Sequence, residues 1–431
     1  MIAVLSAVGN RWDGPVATLL GSSALVRIAR RCADLADLLA AASSGVGAVA
    51  VLSDDLRGLT LSVVSRLRES GLEVVGIVDP DDEGSERRLR QLGVLALVPA
   101  DATVADADAV FLAAVGGGPV GPWSAWPQIE DGRLVTGPRT PPPTPIASPH
   151  RGRVVAVWGP AGAPGRTSVA VHLAAEIAGL GVSTLLVDVD TYGGSIAQTL
   201  AVLDEAPGLA GATRAADQGA LDLPALARLA PEVSRGLRVL TGIPRAQRWP
   251  EIRPAALERV LDLARGLAQV VVVDCGFCLE SDEELSYDTE APRRNQATLT
   301  TLEVADELLV VSGSDPVSLQ RLVRGIQDLA AVRSPQPQVV VNRLRATAVG
   351  PRPEARVREA LARFAGIEDA WFVPDDPQAF DAALLSGRTL AETAPASPAR
   401  VALRALATRV GAVQPTGPAS RVVAANSSRR R

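Results

Sequence analysis

The sequence predicts an α/β chain in two domains, each built on a mostly parallel sheet flanked by helices. Three observations carry this. Residues 1–112 alternate short apolar runs with stretches of helical spacing. Residues 153–190 read as strand, glycine turn, helix and strand. Three apolar runs beyond residue 184 each end in Asp or Asn, at Asp188, Asp274 and Asn342. Strands and helices in alternation give parallel strands with helices over both faces, and strands so covered read as unbroken Val, Ile and Leu.

In the first domain, Ile2–Val8, Gly47–Leu52, Glu73–Val78 and Val94–Val98 read as strands, and Ala33–Ala42, Thr60–Ser70 and Ser85–Leu92 have helix spacing. This size and rhythm over residues 1–114 resembles a response-regulator receiver domain, which implies a flavodoxin-like sheet. The chemistry of a receiver does not follow. Ala3-Val-Leu-Ser-Ala-Val8 lacks an acidic pair to hold magnesium, and no lysine precedes Pro99 in Leu97-Val98-Pro99. Asp54 and Asp55, after Gly47–Leu52, stand where a phosphoacceptor would. A docking or dimerising module is the expectation.

Residues 115–150 carry Gly116–Gly118, Pro141–Pro143, Pro145 and Pro149, which can hold neither a ladder nor a helix, so they read as a linker. The second domain spans 151–413. Residues 414–431, polar and ending in three arginines, read as a disordered tail.

All 43 basic residues are arginine, which with 38 Gly and 32 Pro matches a high-GC, actinobacterial composition. A net charge of −5 excludes bulk polyanion binding as the chain's main character. Three cysteines are too few for a disulfide framework, and no leader-like segment opens the chain. No apolar run reaches the ~18 residues that span a bilayer. A cytoplasmic protein is expected, reaching a membrane peripherally or through a partner.

The chemistry is concentrated after Arg153-Val-Val-Ala-Val-Trp158, in Gly159-Pro-Ala-Gly-Ala-Pro-Gly-Arg-Thr-Ser168. A glycine turn between strand and helix points backbone N–H groups and the positive helix end at one spot, which suits a phosphate. Gly162, Ala163, Pro164, Gly165 and Ser168 form the cradle. Arg166 places a cation at the phosphates, and Thr167 a hydroxyl on Mg²⁺. Arg166 stands where such loops carry lysine; it is forked and bulkier, not a free replacement. Val270–Val273 delivers Asp274, the acid expected to hold Mg²⁺ through water, and Leu185–Val187 delivers Asp188 and Asp190.

On these motifs, residues 151–395 resemble the MinD/ParA group of P-loop ATPases, and most of all its CpaE/TadZ branch. The resemblance implies a P-loop NTPase domain, ATP and Mg²⁺ as ligands, and Asp190 as the residue orienting the attacking water. It implies that Asn342 in Val339-Val-Val-Asn342-Arg343 reads adenine, and that Pro374 in Phe372-Val-Pro374 lies where the chain closes over the base. Ala297–Val311 resembles the helix and strand before a dimer-facing turn. A receiver-like domain ahead of the ATPase is itself a feature of that branch. Here the group's signature lysine falls on Ala161, its first glycine on Pro160, and the second of its paired glycines on Ala163. Cys275-Gly-Phe-Cys278 follows Asp274 in place of a proline-bearing turn. ATP binding is expected; hydrolysis is left open.

Cys275-x-x-Cys278 lacks a second pair for zinc, and His150 and His172 are the chain's two histidines. The acidic run Glu280–Glu284 reads as a solvated loop. Pro398–Val413 reads as a packed terminal helix rather than a membrane-touching one, and Arg343, Arg345, Arg352 and Arg356 as solvated surface rather than a DNA patch. The expected role is spatial positioning of a bacterial machine, a Flp/Tad-type pilus or secretion assembly or the division septum, by a homodimer. A catalytically degenerate scaffold and a DNA-partitioning ATPase remain as alternatives.

Overall fold

The computed structural model describes residues 1–116, 129–130, 133–134, 151–162, 164–202, 208–280 and 292–412. The expected linker beyond Gly116 falls outside the described residues, save for the strand pair Ile129–Glu130 and Arg133–Leu134; the tail 414–431, Ala163, His150 and residues 281–284 also fall outside them. The chain forms two compact units. One takes in the residues up to 150 with Arg214–Leu221; the other takes in Arg151–Thr213 and the residues from Asp222 onward. No feature of the sequence announces that segment 214–221 groups with the first.

In the first unit, strands and helices alternate: β1 (Ile2–Ala7), α1 (Asn10–Gly21), β2 (Val26–Arg31), α2 (Leu35–Ser43), β3 (Val49–Ser53), α3 (Leu61–Glu69), β4 (Glu73–Val78), α4 (Glu83–Gln91), β5 (Ala96–Pro99) and α5 (Val104–Val115). The five strands are parallel in the order β2-β1-β3-β4-β5, the flavodoxin-like order. All five residues of β3 are buried, as a central strand covered on both faces requires. Asp34, Thr60, Asp82 and Thr103 each cap a helix by accepting a backbone N–H.

Two elements escape the apolar pattern. β2, Val-Arg-Ile-Ala-Arg-Arg, is the edge strand and leaves its arginines partly or fully in solvent. α1 carries Gly14-Pro15, which reads locally as a turn. From α1, Arg11 reaches Asp55 and Asp79 at 3.1 Å each and Asp54 at 3.8 Å. The acidic corner that holds Asp54 and Asp55 is thus occupied by one of the chain's own guanidinium groups, which offsets part of its charge.

A two-residue pair follows, β6 (Ile129–Glu130) with β7 (Arg133–Leu134), antiparallel. The chain continues with β8 (Arg153–Trp158), α6 (Arg166–Gly179), β9 (Thr184–Asp188), α7 (Ile196–Thr199), α8 (Gly208–Asp217, of which residues 214–217 group with the first unit), α9 (Leu223–Leu229), β10 (Glu232–Ser234), β11 (Leu237–Leu240), α10 (Pro254–Leu267) and β12 (Val270–Asp274). It ends with α11 (Gln296–Val304), β13 (Glu307–Gly313), α12 (Pro316–Leu329), β14 (Pro337–Leu344), α13 (Ala346–Val349), α14 (Pro353–Ala365), β15 (Ala370–Pro374), α15 (Pro377–Ser386), α16 (Leu390–Thr393) and α17 (Pro398–Gly411).

Eight strands form one sheet, β10-β11-β9-β12-β8-β13-β14-β15, parallel except for β10 against β11. The chain leaves β8 toward β9 on one side and later returns to β13 on the other, so the sheet reverses direction at β8. Crevices at the carboxyl ends beside such a switch point are where open α/β sheets bind ligands. α6 is buried nearly all round and packs between the sheet and α17. α17 gives Ala399, Leu403, Leu406, Ala407 and Val410 to that core, so the expected terminal helix is packed. Among the described residues no helix is long and apolar enough to cross a membrane.

Candidate functional site

The site is built where β8 ends. Gly162 and Gly165 have φ of +72° and +87°, a left-handed backbone that costs glycine little and other residues more. Gly165 also caps α6 with no side-chain bond, so the first N–H groups of the helix face outward uncapped. A Cβ on Gly165 would stand 2.3 Å from Asn342 Nδ2. The turn therefore needs glycine there for space as well as for φ.

Beneath the loop, β8, β12 and β9 lie side by side, so register fixes which residues meet. Asp274 pairs with Asp188 on one side and Val157 on the other. Thr167 Oγ1 donates to Asp274 Oδ2 at 2.6 Å, while Asp274 Oδ1 is buried with no hydrogen-bond partner. Burial first, and the neighbouring Asp188 charge second, push the Asp274 carboxyl well above the usual range; Thr167 and Arg166 pull the other way. Asp188 accepts from Asp190 N at 3.1 Å and Ile196 N at 3.2 Å, and burial raises it to about 7. A Cβ on Gly194 or Gly242 would stand 2.8 Å from its carboxylate, so backbone closes round this acid.

Arg166 lies over these carboxylates. Its Nη1 donates to the Gly159 carbonyl at 2.8 Å and its Nη2 stands 3.5 Å from Asp190 Oδ2. Asp190 Oδ1 accepts from Tyr192 N at 2.8 Å and Gly193 N at 3.3 Å, which fixes the acid's orientation. Asn342, at the end of β14, donates from Nδ2 to the Pro164 carbonyl at 3.1 Å and keeps a buried, unpartnered Oδ1. Gly162, Pro164, Gly165, Arg166, Thr167, Asp190, Asp274 and Asn342 are thus gathered at one end of the sheet. Ser168 occupies the first turn of α6, and Pro374 ends β15, one strand beyond Asn342 and paired with Leu344. Asn342 meets the loop itself, a contact that its motif does not announce.

Packing supplies further neighbours that no motif flags. Arg294 sits 3.8 Å over the Tyr192 ring and donates to the Thr191 carbonyl at 2.8 Å, and Tyr192 Oη donates to Asn295 Oδ1 at 2.7 Å. These contacts tie the turn after β9 to the start of α11. Cys275 is buried, with its thiol pushed well up by burial, and Cys278 is half-buried. Among the described residues no three His, Cys, Asp or Glu side chains are grouped to hold a metal. Arg345 pairs with Asp375 and Arg356 donates to the Val349 carbonyl, so two of the four arginines weighed as a DNA patch have partners within the unit.

These residues fit a nucleotide with magnesium. The glycine turn opens a cradle at the first turn of α6, where no side chain caps the helix. A hydroxyl and a carboxylate with a spare buried oxygen match a cation that keeps several waters and takes one or two protein ligands plus phosphate oxygens.

No family model matches the sequence, and no curated protein matches it. Solved structures do. A ParA-family ATPase from Chlorobium tepidum aligns with a TM-score of 0.51 at 19 % identity, over 59 % of this chain and 98 % of that one. The cell-division ATPase MinD of Pyrococcus furiosus aligns over 60 % of this chain and 98 % of that one, at 18 % identity and a TM-score of 0.47. The septum site-determining protein MinD of Pyrococcus horikoshii, solved with Mg-ADP, aligns over 60 % and 96 %, at 18 % identity and a TM-score of 0.46. At this identity the first likeness speaks to the fold. The chain carries the fold of a ParA-type P-loop ATPase.

Proposed function

We propose that the chain binds ATP with Mg²⁺ at the β8–α6 loop and uses it in the spatial positioning of a bacterial machine. Gly162 to Ser168 cradle the phosphates, including Ala163, which lies outside the described residues. Arg166 supplies charge, and Thr167 and Asp274 hold Mg²⁺, Asp274 through water. Asp190 orients an attacking water, and Asn342 and Pro374 flank the base. The machine is a Flp/Tad-type pilus or secretion assembly, as in the CpaE/TadZ branch, or the division septum. The chain acts there as a cytoplasmic homodimer with a polar, septal or partner-borne address, and its first unit is a receiver-like docking module. The observation that carries this reading is Asp274, held by Thr167 through one oxygen while the other is buried and unpartnered. An unmade hydrogen bond of this kind costs about 1–3 kcal/mol, so a magnesium-bound water there would recover what the protein alone leaves unsatisfied.

A second reading, a catalytically degenerate scaffold whose pocket is vestigial, is supported by Arg166. That side chain is held by the Gly159 carbonyl and Asp190, and Ala161 offers the loop no further charge. Titration of the purified chain with a fluorescent ATP analogue and Mg²⁺, beside Arg166→Ala and Asp274→Ala, separates them. Micromolar binding lost in both variants supports the site. Absence of binding up to millimolar ATP in folded protein favours the scaffold. Salt-sensitive, ATP-dependent capture of nonspecific duplex would favour a partition ATPase instead.

A further inference from the structure

The loop has a second cation beside it, from a helix that carries no motif. α12 packs against the segment entering the loop: a Cβ on Gly325 would stand 3.1 Å from the Pro160 and Trp158 side chains. One turn earlier on the same face, four residues away, is Arg321. The small residue lets the helix approach, and the long one then reaches the loop.

Arg321 Nη1 donates to the Ala161 carbonyl at 3.3 Å and stands 2.1 Å from the point that a Gly162 Cβ would occupy. At φ +72° Gly162 therefore meets two demands, a left-handed backbone and a guanidinium where a side chain would begin. A guanidinium has five N–H donors, and among the described residues Arg321 spends one, on a carbonyl at a long distance. It also borders a cavity of about 700 Å³, which gives its exposed side chain room to swing. A positive group with unspent donors at the edge of a phosphate cradle is placed to receive an anion.

We propose that Arg321 is a phosphate-binding arginine supplied in cis, which contacts the terminal phosphate of a bound nucleoside triphosphate at the Ala161–Gly162 edge of the loop. The inference rests on the loop being a nucleotide site. The Gly165–Ser168 backbone, at the helix end, serves the inner phosphates; Arg321, at the entry segment, adds a second cation to that of Arg166 for the outermost one. An arginine brought to that group from outside the loop spreads and neutralises the charge on its oxygens, the role such residues play in phosphoryl transfer.

The test compares Mg²⁺-ATP and Mg²⁺-ADP analogue binding to the full chain, its Arg321→Ala variant and its Arg321→Lys variant, with thermal unfolding as the control for folding. Arg321→Ala should weaken ATP by about tenfold or more, the loss of one charge-assisted hydrogen bond, and leave ADP nearly unchanged. Arg321→Lys should recover part of that loss. ATP and ADP weakened alike, or neither weakened, would overturn the proposal while leaving the nucleotide site standing. A wild-type chain that binds neither nucleotide would overturn both.

Discussion

Arg166 is engaged twice, by the Gly159 carbonyl at 2.8 Å and by Asp190 Oδ2 at 3.5 Å. The loop's cation is therefore paired with the acid proposed to orient water, and an incoming phosphate must compete with that acid. Asp190→Asn removes the competing charge, and its amide oxygen can still accept from Tyr192 N and Gly193 N. Nucleotide affinity should then rise about three- to tenfold, the worth of a largely buried but loosely spaced ion pair at about 1 kcal/mol, while any turnover falls. Titration of the variant beside the wild type reads this directly. A lower affinity would mean that Asp190 helps hold the ligand rather than holding Arg166 back.

Asp274 and Asp188 sit opposite one another in register, both fully buried; burial pushes both carboxyls up, and the Asp188 charge pushes Asp274 further. Replacing one carboxylate removes that repulsion, so Asp274→Asn should melt no lower than wild type in EDTA. It should also lose the stabilisation by Mg²⁺-ATP, which in wild type would be about 2.7 kcal/mol at a hundredfold excess over Kd. Differential scanning with and without Mg²⁺-ATP distinguishes the two effects. If wild type shows no Mg²⁺-dependent shift at saturating ATP, the metal assignment of Thr167 and Asp274 fails.

Much of this framework is legible in the sequence because parallel strands covered on both faces must be continuously apolar. β1, β3, β4, β8, β9, β12 and β14 show as such runs, and Gly162 and Gly165 as the points where the backbone must turn left-handed. The edge strand β2 does not show, since three of its six residues are arginines that an exposed edge tolerates. Nor do Arg11, Arg294 and Arg321. Each is one arginine among 43, and what sets it apart is the carboxylate, ring or carbonyl that packing brings to it from a distant element. Tertiary contacts of that kind leave no local period to read.

The docking of α17 depends on one charge pair inside the core. Glu176 of α6 is 2 % exposed, and Arg400 grips it from Nε at 2.7 Å and Nη2 at 3.3 Å, with Arg404 at 3.6 Å. Arg400→Ala strands a buried carboxylate and should cost about 3–5 kcal/mol, toward the lower figure because Arg404 remains. Glu176→Gln with Arg400→Met should recover most of the loss, since neither buried charge is then left alone. Urea unfolding of wild type and the two variants checks the order. A single mutant as stable as wild type would show that α17 is held by its apolar face alone.

His172, also on α6, is buried with its Nδ1 accepting the Leu390 N–H at 3.2 Å and its ring 5.4 Å from that of Phe380. Burial lowers its pKa from 6.5 to about 4. The folded chain thus takes up this proton less readily than the unfolded chain. The stabilisation is complete above about 6.5 and is lost as pH falls toward 4, a change of about 3 kcal/mol. Asp188 runs the other way. Raised from 3.8 to about 7, it contributes stability at low pH that is lost as pH rises through that range. The two oppose each other over most of the interval, so the wild-type curve alone conceals His172. His172→Asn keeps an acceptor for Leu390 and does not titrate. The difference in unfolding free energy between wild type and this variant, measured at pH 7.5 and again at pH 4, should move against wild type by about 3 kcal/mol. A difference that stays constant with pH would show that His172 is not held neutral in the folded chain.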